Sequence, residues 1–332
     1  MIQVGLLGAG FIGATHAAAF ATLDGVRLAV IADANQAAAD ALAARYGARA
    51  AYTIEAVLDD PGITAVSLCL PSFLHASTFV AAAERGKHIL CEKPLALSLA
   101  DADRMLAAAR QAGIHSMVGQ VIRFWPEYVC IREALQSGQL GPPRMATAAR
   151  LAAPPTWGAW FADPSKSGGA LFDLHIHDLD YVFSLFGKPR TVYAVGVQGA
   201  TGGWDHVLTS LDYGDKKAVV EASYALPKAF PFQMSFRLAG DAGCIDFRFG
   251  GVPQVDQRAA ARSDLVLYRQ GAEPEVLNAS SEDAYQAEIR YFARCLLEDR
   301  APALATLAEA REVLTIVMAA QKALETGQVV SL

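Results

Sequence analysis

Two spacings of apolar residues alternate along the first 120 positions. Short apolar runs of strand length are each followed by a segment whose apolar residues recur at helical spacing. The predicted strands cover residues 2–7, 26–32, 65–70, 87–91 and 114–118, and the predicted helices cover residues 14–23, 36–46, 54–59, 76–85 and 99–112. Strands that alternate with helices predict a doubly wound, parallel sheet.

The pattern changes after about residue 122. Helices are predicted at residues 126–137, 169–186, 283–297 and 306–325, and strands at residues 144–151, 191–197, 207–213, 218–224, 233–239, 244–249 and 265–268. The short turns between these strands predict hairpins and a largely antiparallel sheet. The predicted fold is therefore α/β, with an N-terminal domain at residues 1–121 built on the doubly wound sheet and a C-terminal α+β domain at residues 122–332.

Net charge and the positions of the cysteines limit the expected binding partners and the expected cellular compartment. The net charge of the 332 residues is −6 and no Lys/Arg-rich run occurs, which argues against nucleic acid and anionic membranes as partners. Five scattered cysteines without a CxxC pair predict reduced thiols in the cytoplasm, with neither a disulfide framework nor a metal site. The apolar N-terminus lacks signal-peptide features, and no apolar stretch is long enough to span a bilayer.

A glycine-rich turn joins the first strand to the first helix. Gly8 is suited to the tight turn, Gly10 to close approach of a pyrophosphate, and Gly13 to close packing of helix on strand. The backbone N–H groups near Phe11 and Ile12 would face the anion at the helix N-terminus. Although such a turn also occurs for purely structural reasons, its context between strand and helix predicts a dinucleotide site.

Asp33 ends the second strand at the spacing where an acid meets the adenosine ribose. A carboxylate accepts hydrogen bonds from a free ribose hydroxyl and repels a 2′-phosphate. The next residues, 34–36, carry no charge. The expected cofactor is therefore NAD rather than NADP.

Lys93 lies just after a predicted strand, at the edge where parallel sheets bind ligands. A lysine there can hold a substrate hydroxyl and lower its pKa, although a solvated surface lysine is the common alternative. The same edge gives the other expected cofactor contacts, which are Leu70, Pro71, His75, Glu92 and Gln120.

The segment 169–186 carries a polar stripe beside its apolar face. Asp173, His177, Asp180 and Ser184 form that stripe in a single helix. A histidine one turn from a carboxylate is a candidate general base, or the two side chains only satisfy each other. His175 and His177 resemble a metal pair, but residues two apart on a helix point roughly 200° apart, so no metal is expected.

Several loop residues are candidates for the substrate pocket, without geometry to place them. Arg123 and Trp160 are the expected substrate contacts beside Lys93, Asp173 and His177. Trp157, Asp163, His175 and Tyr285 are further candidates. The tryptophans could equally be core or interface residues.

With these motifs in order, the chain resembles the glucose-fructose oxidoreductase / inositol dehydrogenase (Gfo/Idh/MocA) family over nearly its whole length. The matching motifs are Gly8 to Gly13 with His16, Asp33, residues 70–75 followed by 86–88, Glu92-Lys93-Pro94, Arg123-Phe124 and residues 168–180. The resemblance implies an NAD(P)-dependent oxidoreductase of sugars or polyols with an N-terminal Rossmann domain. It also implies Lys93, Asp173 and His177 as catalytic residues, and a C-terminal open sheet that often forms the interface of a homo-oligomer, here a dimer or tetramer.

The chain departs from the family pattern at two places. Leu70 and Ser72 stand where the family usually has Thr and Asn, and His175 stands where a glycine is common. The hypothesis is hydride transfer between NAD and a hydroxyl or carbonyl carbon of a sugar or cyclic polyol. A dinucleotide-sensing regulator and an NAD-dependent glycoside hydrolase are the alternatives, because fold alone does not separate them.

Overall fold

The computed structural model describes residues 1–155, 158–252 and 261–332, with only the backbone described at Val252. By its internal contacts the chain divides into two compact units. Unit 1 comprises Met1–Trp125 and Glu282–Arg311, and unit 2 comprises Pro126–Ser281 and Glu312–Leu332.

The strands are β1 Ile2–Leu7, β2 Val26–Ala32, β3 Arg49–Ala51, β4 Ala65–Leu68, β5 His88–Glu92, β6 Ser116–Gly119, β7 Pro143–Leu151, β8 Thr191–Gln198, β9 Trp204–Asp212, β10 Lys217–Ser223, β11 Phe232–Gly240, β12 Gly243–Val252, β13 Arg262–Arg269, β14 Glu275–Val276 and β15 Val330–Ser331. The helices are α1 Phe11–Phe20, α2 Gln36–Tyr46, α3 Glu55–Leu58, α4 His75–Glu84, α5 Leu99–Ala112, α6 Pro126–Gln136, α7 Pro164–Ser167, α8 Gly169–Asp173, α9 His175–Phe186, α10 Ala284–Leu297 and α11 Leu307–Thr326.

Unit 1 is built on a six-stranded sheet in the order β3-β2-β1-β4-β5-β6, in which every neighbouring pair is parallel. This confirms the predicted doubly wound sheet. The helices begin and end at local signals. The Asn35 side chain accepts a hydrogen bond from the N–H of Ala38 at the start of α2, and Gly47 ends that helix in the left-handed conformation. Because all six strands are parallel, their carboxyl ends lie at the same edge of the sheet. The loops that follow the strands can therefore meet there.

Helix α10 packs into the core of unit 1 although it lies near the end of the chain. Its Ile289, Phe292 and Leu296 are buried in one cluster with Leu6 and Phe20. The division predicted from sequence was a single cut between residues 121 and 122. In the structure, residues 282–311 also belong to the first unit.

Unit 2 contains a nine-stranded sheet in the order β14-β13-β12-β11-β7-β10-β9-β8-β15. Among the described strands of this second sheet, only β7 and β10 pair in parallel, which confirms the largely antiparallel prediction. Helix α9 packs on one face of this sheet, where Arg150 of β7 donates two hydrogen bonds to buried Asp178, at 2.8 and 3.0 Å.

Two element predictions were wrong in detail. The predicted helix 169–186 is two helices, α8 and α9, interrupted at Leu174. Helix α1 begins at Phe11 and not at residue 14, because Gly10 already stands at its N-cap. The short strands β3, β14 and β15 were not predicted.

Candidate active site

The glycine loop of unit 1 has the close contacts that its sequence predicts. Gly8 has φ +103°, and a Cβ there would lie 2.3 Å from the carbonyl oxygen of Cys69. A Cβ on Gly13 would lie 2.0 Å from the carbonyl oxygen of Gly8, so helix and strand approach too closely for a side chain. Gly10 differs, since an added Cβ would meet no atom within 4 Å. Open space in front of a helix N-terminus suits an approaching pyrophosphate.

Asp33 is fixed to the backbone of this loop. Its Oδ2 accepts a hydrogen bond from the N–H of Ala9 at 2.7 Å, and its Oδ1 accepts one from the N–H of Asn35 at 2.8 Å. Each carboxylate oxygen can accept further hydrogen bonds. Asp33 is half-buried, so its carboxylate remains accessible beside the turn that would hold a dinucleotide.

His75 connects the ends of β4 and β5. Its Nε2 lies 2.8 Å from the carbonyl oxygen of Leu70, and its Nδ1 lies 2.8 Å from that of Pro94. Burial lowers the pKa of the imidazole despite these carbonyl contacts. Leu70 and Pro71 follow β4 and are half-buried. The structure therefore gives His75 a role in holding together the two strand ends on which cofactor contacts were predicted.

Lys93 follows directly after β5 and is half-buried, whereas Glu92 before it is buried. The Oε2 of Glu92 accepts a hydrogen bond from the backbone N–H of Lys93 at 3.1 Å. Its Oε1 lies 3.0 Å from the Nε2 of His16, which belongs to α1. The carboxylate of Glu92 thus contacts protein groups on both sides, and it supports Lys93 from within the unit.

Gln120 lies at the carboxyl end of β6 with only 1% of its surface exposed. Within the described part of the chain, neither atom of its carboxamide has a hydrogen-bond partner. A buried donor and acceptor of this kind need partners that ordered water or a ligand can supply. Arg123, predicted to contact substrate, is buried and forms an ion pair with Glu309 at 3.0 Å.

Asp173 in unit 2 is held by a residue that the sequence analysis did not identify. Tyr224, just after β10, donates a hydrogen bond from its Oη to the Oδ2 of Asp173. Burial, and then the charge of Asp173, raise the pKa of Tyr224 well above its usual value, so the phenol remains a donor. Asp173 ends α8, while His177 lies in the first turn of α9 and is half-buried. The two residues therefore belong to different helices.

His175 is an interior residue. It is fully buried, and its Nε2 lies 2.7 Å from the Oγ1 of Thr209 on β9. Burial lowers the pKa of its imidazole to about 3, so the ring is neutral at physiological pH. The structure places His175 in the packing between helix and sheet.

The other loop candidates fall in both units. Trp160 is half-buried and stacks on Phe161, with 3.9 Å between ring centroids. Asp163 accepts a hydrogen bond from the N–H of Ser165 and caps α7. Tyr285 belongs to unit 1, where its ring lies 6.2 Å from that of His16. Trp157 lies outside the described residues.

Segments of both units match known protein families. Residues 2–120 match the oxidoreductase family with an NAD-binding Rossmann fold, and residues 128–246 match the GFO/IDH/MocA C-terminal domain. The chain belongs to the Gfo/Idh/MocA oxidoreductase family. It is thus an oxidoreductase with an NAD-binding domain, as the motifs predicted.

The chain is similar in sequence to inositol dehydrogenases and in fold to a solved oxidoreductase structure. It is 35% identical to the inositol 2-dehydrogenase of Rhizobium meliloti (strain 1021), over 67% of this chain and 68% of the relative. It is 28% identical to the scyllo-inositol 2-dehydrogenase (NAD(+)) of Bacillus subtilis (strain 168), over 100% of this chain and 96% of the relative. The fold matches that of the aldose-aldose oxidoreductase of Caulobacter crescentus, with TM-score 0.87 and 22% identity over 100% and 99% of the two chains.

Within residues 1–155, 158–252 and 261–332, no helix combines the length and the apolarity that crossing a membrane requires.

Proposed function

We propose that this oxidoreductase transfers a hydride between NAD and a hydroxyl- or carbonyl-bearing carbon of a sugar or cyclic polyol. Inositol dehydrogenases among the relatives support this substrate class. The observation that carries the proposal is the placement of Lys93 at the carboxyl end of β5, a parallel strand that is paired on both sides, in the unit with the NAD-binding fold. Ligands of such sheets bind at that edge.

NAD, when bound, supplies the acceptor or donor of the hydride. In unit 1, the N–H groups at the start of α1 would hold its pyrophosphate and Asp33 its ribose hydroxyls. The unpartnered carboxamide of Gln120 offers one donor group and one acceptor to the bound cofactor. The open space at Gly10 fits this assignment.

Residues of this chain would transfer the proton of the substrate hydroxyl. In the oxidising direction His177 takes the proton of the substrate hydroxyl, and Asp173 orients the imidazole and stabilises its charged form. Lys93 stabilises the developing alkoxide with its positive charge. Arg123 and Trp160 are proposed as further substrate contacts.

The test is the appearance of NADH when the purified protein is mixed with NAD⁺ and a panel of inositols, aldoses and sugar acids. His177→Asn should lower kcat by about 10²- to 10⁴-fold while NAD still binds, because it removes the general base. Lys93→Met should lower kcat and also raise KM, because the same charge orients substrate and stabilises the transition state.

His115→Asn is the matched control, since His115 lies in an ion pair with Asp299 and belongs to no proposed site. It should leave kcat unchanged. An unchanged kcat for His177→Asn would contradict the proposed base. NAD binding without turnover, or cleavage of a glycosidic bond without net NADH, would contradict hydride transfer as the net reaction.

We further propose a homo-oligomer, a dimer or tetramer, in the cytoplasm. The outer face of the sheet in unit 2 exposes apolar side chains on two neighbouring strands, namely Tyr193, Val195, Val197 and Leu208. We call these four residues the β8–β9 patch. Contiguous apolar surface of this kind often marks a protein interface. All five cysteines are free, which fits a reducing compartment.

A further inference from the structure

Three buried ionisable side chains meet behind Lys93 in unit 1. They are His16 of α1, Glu92 at the end of β5 and Glu288 of α10. One ligand-type atom of each lies within 4.8 Å of the others. None of the three is more than 6% exposed. We call them the buried triad.

His16 is the member that joins separate elements. Its Nδ1 lies 2.8 Å from the Oγ of Ser67 on β4, and its Nε2 lies 3.0 Å from the Oε1 of Glu92. Burial alone lowers the pKa of His16, but neighbouring Cys69 and Glu92 raise it well above the usual value. A charged imidazole donates from both nitrogens, so His16 can hold Glu92 while it remains tied to β4.

Glu92, which His16 holds, is in turn hydrogen-bonded to the backbone of Lys93. Its second oxygen accepts the backbone N–H of Lys93 at 3.1 Å. On its other side the carboxylate lies against Gly119 of β6, where an added Cβ would be only 2.8 Å from Oε1. The carboxylate therefore has little room to rotate, and it is hydrogen-bonded to the backbone from which Lys93 extends.

Stability alone does not explain such a cluster. Burying charged groups costs free energy that hydrogen bonds and mutual attraction only offset, and apolar side chains of similar volume often stabilise a protein as well or better. The triad lies between the helix that begins at the glycine loop and the strand end that carries Lys93. This location suggests a role in the geometry of the site.

We propose that the buried triad is a positioning device for Lys93, in which His16 acts on turnover through Glu92 and the backbone of Lys93. The inference rests on the proposed function, which places Lys93 at the substrate. The same three side chains are of types that can bind a divalent cation. His16 and Glu92 already hydrogen-bond each other at 3.0 Å, which favours the positioning role, and metal binding is an outcome of the experiments.

The first experiment compares two substitutions of nearly equal size. Gln at position 16 can still donate a hydrogen bond to Glu92, whereas Leu cannot. His16→Leu should lower kcat by about 10²-fold, the effect expected when a reacting group is displaced by about 1 Å. His16→Gln should recover most of that loss. If both variants lose kcat equally, hydrogen bonding to Glu92 is not what His16 provides and the proposal is overturned.

The second experiment measures Lys93 directly, without turnover. The rate at which its amine is acetylated by acetic anhydride, followed by mass spectrometry, should change in His16→Leu and stay near the parent rate in His16→Gln. Phe79→Leu, a core substitution in α4, controls for loss of stability. An unchanged acetylation rate in His16→Leu overturns the proposal. If His16→Leu does not fold, Glu92→Ala replaces it, because it removes the carboxylate that accepts the N–H of Lys93. The same change in acetylation rate is expected, and an unchanged rate overturns the proposal.

The third experiment is a double-mutant cycle with Lys93→Met. If His16 acts through Lys93, His16→Leu should have little further effect on kcat once Lys93 is replaced, since coupled residues are not additive. Single-turnover assays with chromatographic detection give the rates. Full multiplicative loss would overturn the inference. A Lys93→Met enzyme with unchanged kcat would instead contradict the proposed function, while the acetylation rates would still report on positioning.

Metal analysis completes the test. Purified protein should hold no stoichiometric divalent cation by plasma mass spectrometry, before or after incubation with Mg²⁺, Mn²⁺ or Zn²⁺. A bound ion that is lost in both His16→Leu and Glu288→Gln would overturn the positioning cluster and identify a metal site.

Discussion

Asp173 owes its orientation to a tyrosine 51 positions away in sequence. The Oη of Tyr224 donates to one carboxylate oxygen, and the phenol is buried. A carboxylate that must orient a histidine during proton transfer benefits from such a fixed donor, because the hydrogen bond limits rotation of the carboxylate. Tyr224 is thus a positioning residue for the proposed catalytic pair.

Tyr224→Phe should lower kcat by about 10- to 100-fold, because a hydrogen bond to a charged group contributes about 1.5–3 kcal/mol. KM for the substrate should change much less, since Tyr224 acts through Asp173. Steady-state kinetics on the substrate found in the panel gives both constants.

Tyr213→Phe is the matched control in the same unit. Tyr213 is also buried, and among the described residues its hydroxyl has no hydrogen-bond partner. It should therefore lose no kcat. Equal kcat values for the two variants would show that the hydroxyl of Tyr224 does not serve the reaction.

These residues show what a single sequence can predict about the site. The glycine loop and Asp33 are local in sequence and their spacing has a direct physical meaning, so their geometry was predictable. Tyr224 and Glu288 contact their partners across 51 residues or more, and nothing in the local pattern marks them. The roles of Lys93, Asp173 and His177 stay predictions that the kinetic variants test.

At the scale of elements, the interruption at Leu174 divides the predicted polar stripe between two helices, with Asp173 on α8 and His177 on α9. Apolar spacing continues through residues 169–186, so periodicity alone predicted one helix. In the structure α8 is anchored by Asp173 to Tyr224, and α9 by Asp178 to Arg150. Tertiary contacts on each side of Leu174 thus determine two helix positions, and ideal helical spacing does not describe the relation of Asp173 to His177.

The start of α1 allows a prediction that separates folding from cofactor binding. Gly13→Ala should reduce stability by about 1–3 kcal/mol, as overpacking does, because its methyl group would collide with the carbonyl of Gly8. Gly10→Ala should leave stability unchanged, since φ is −75° and the added methyl meets no atom. It should nevertheless weaken NAD binding, because the methyl would occupy the space proposed for the pyrophosphate.

Thermal unfolding and NAD titration measure the two effects separately. Each glycine variant controls for the other, because both add one methyl group to the same turn. Unchanged NAD affinity in Gly10→Ala would place the pyrophosphate elsewhere.

The accuracy of the element predictions follows from local signals. Helices α2 and α5 were predicted to the residue, because each has a capping side chain at its start, Asn35 or Ser98, and a left-handed glycine at its end. Strands β14 and β15 contain two residues each, too few for a periodic pattern. They form because a neighbouring strand offers unpaired backbone groups.

At the scale of the whole molecule, the path of the chain between units could not be read from the sequence. The apolar face of α10 predicts that this helix is buried, but the face would suit any apolar core. In the structure Ile289, Phe292 and Leu296 complete the core of unit 1. The same helix places Glu288 near His16. The buried triad therefore forms only because α10, late in the chain, packs against the N-terminal part of unit 1.

The β8–β9 patch makes the oligomeric state testable. Val195 and Leu208 are paired across β8 and β9 and are 48% and 40% exposed. Val195→Glu combined with Leu208→Glu should dissociate the oligomer into lower-order species, because two like charges per protomer would face the same surface of a symmetric partner. Light scattering coupled to size exclusion measures the mass.

Val276→Glu is the control for this prediction. It adds one glutamate per protomer, where the β8–β9 variant adds two, at β14 on the opposite edge of the same sheet, where Val276 is 69% exposed. It should leave the mass of the assembly unchanged. Dissociation by Val276→Glu, with the β8–β9 variant intact, would move the interface to the other half of the sheet. A parent protein that is monomeric would contradict the homo-oligomer itself, and the patch would then need another partner to account for its apolar surface.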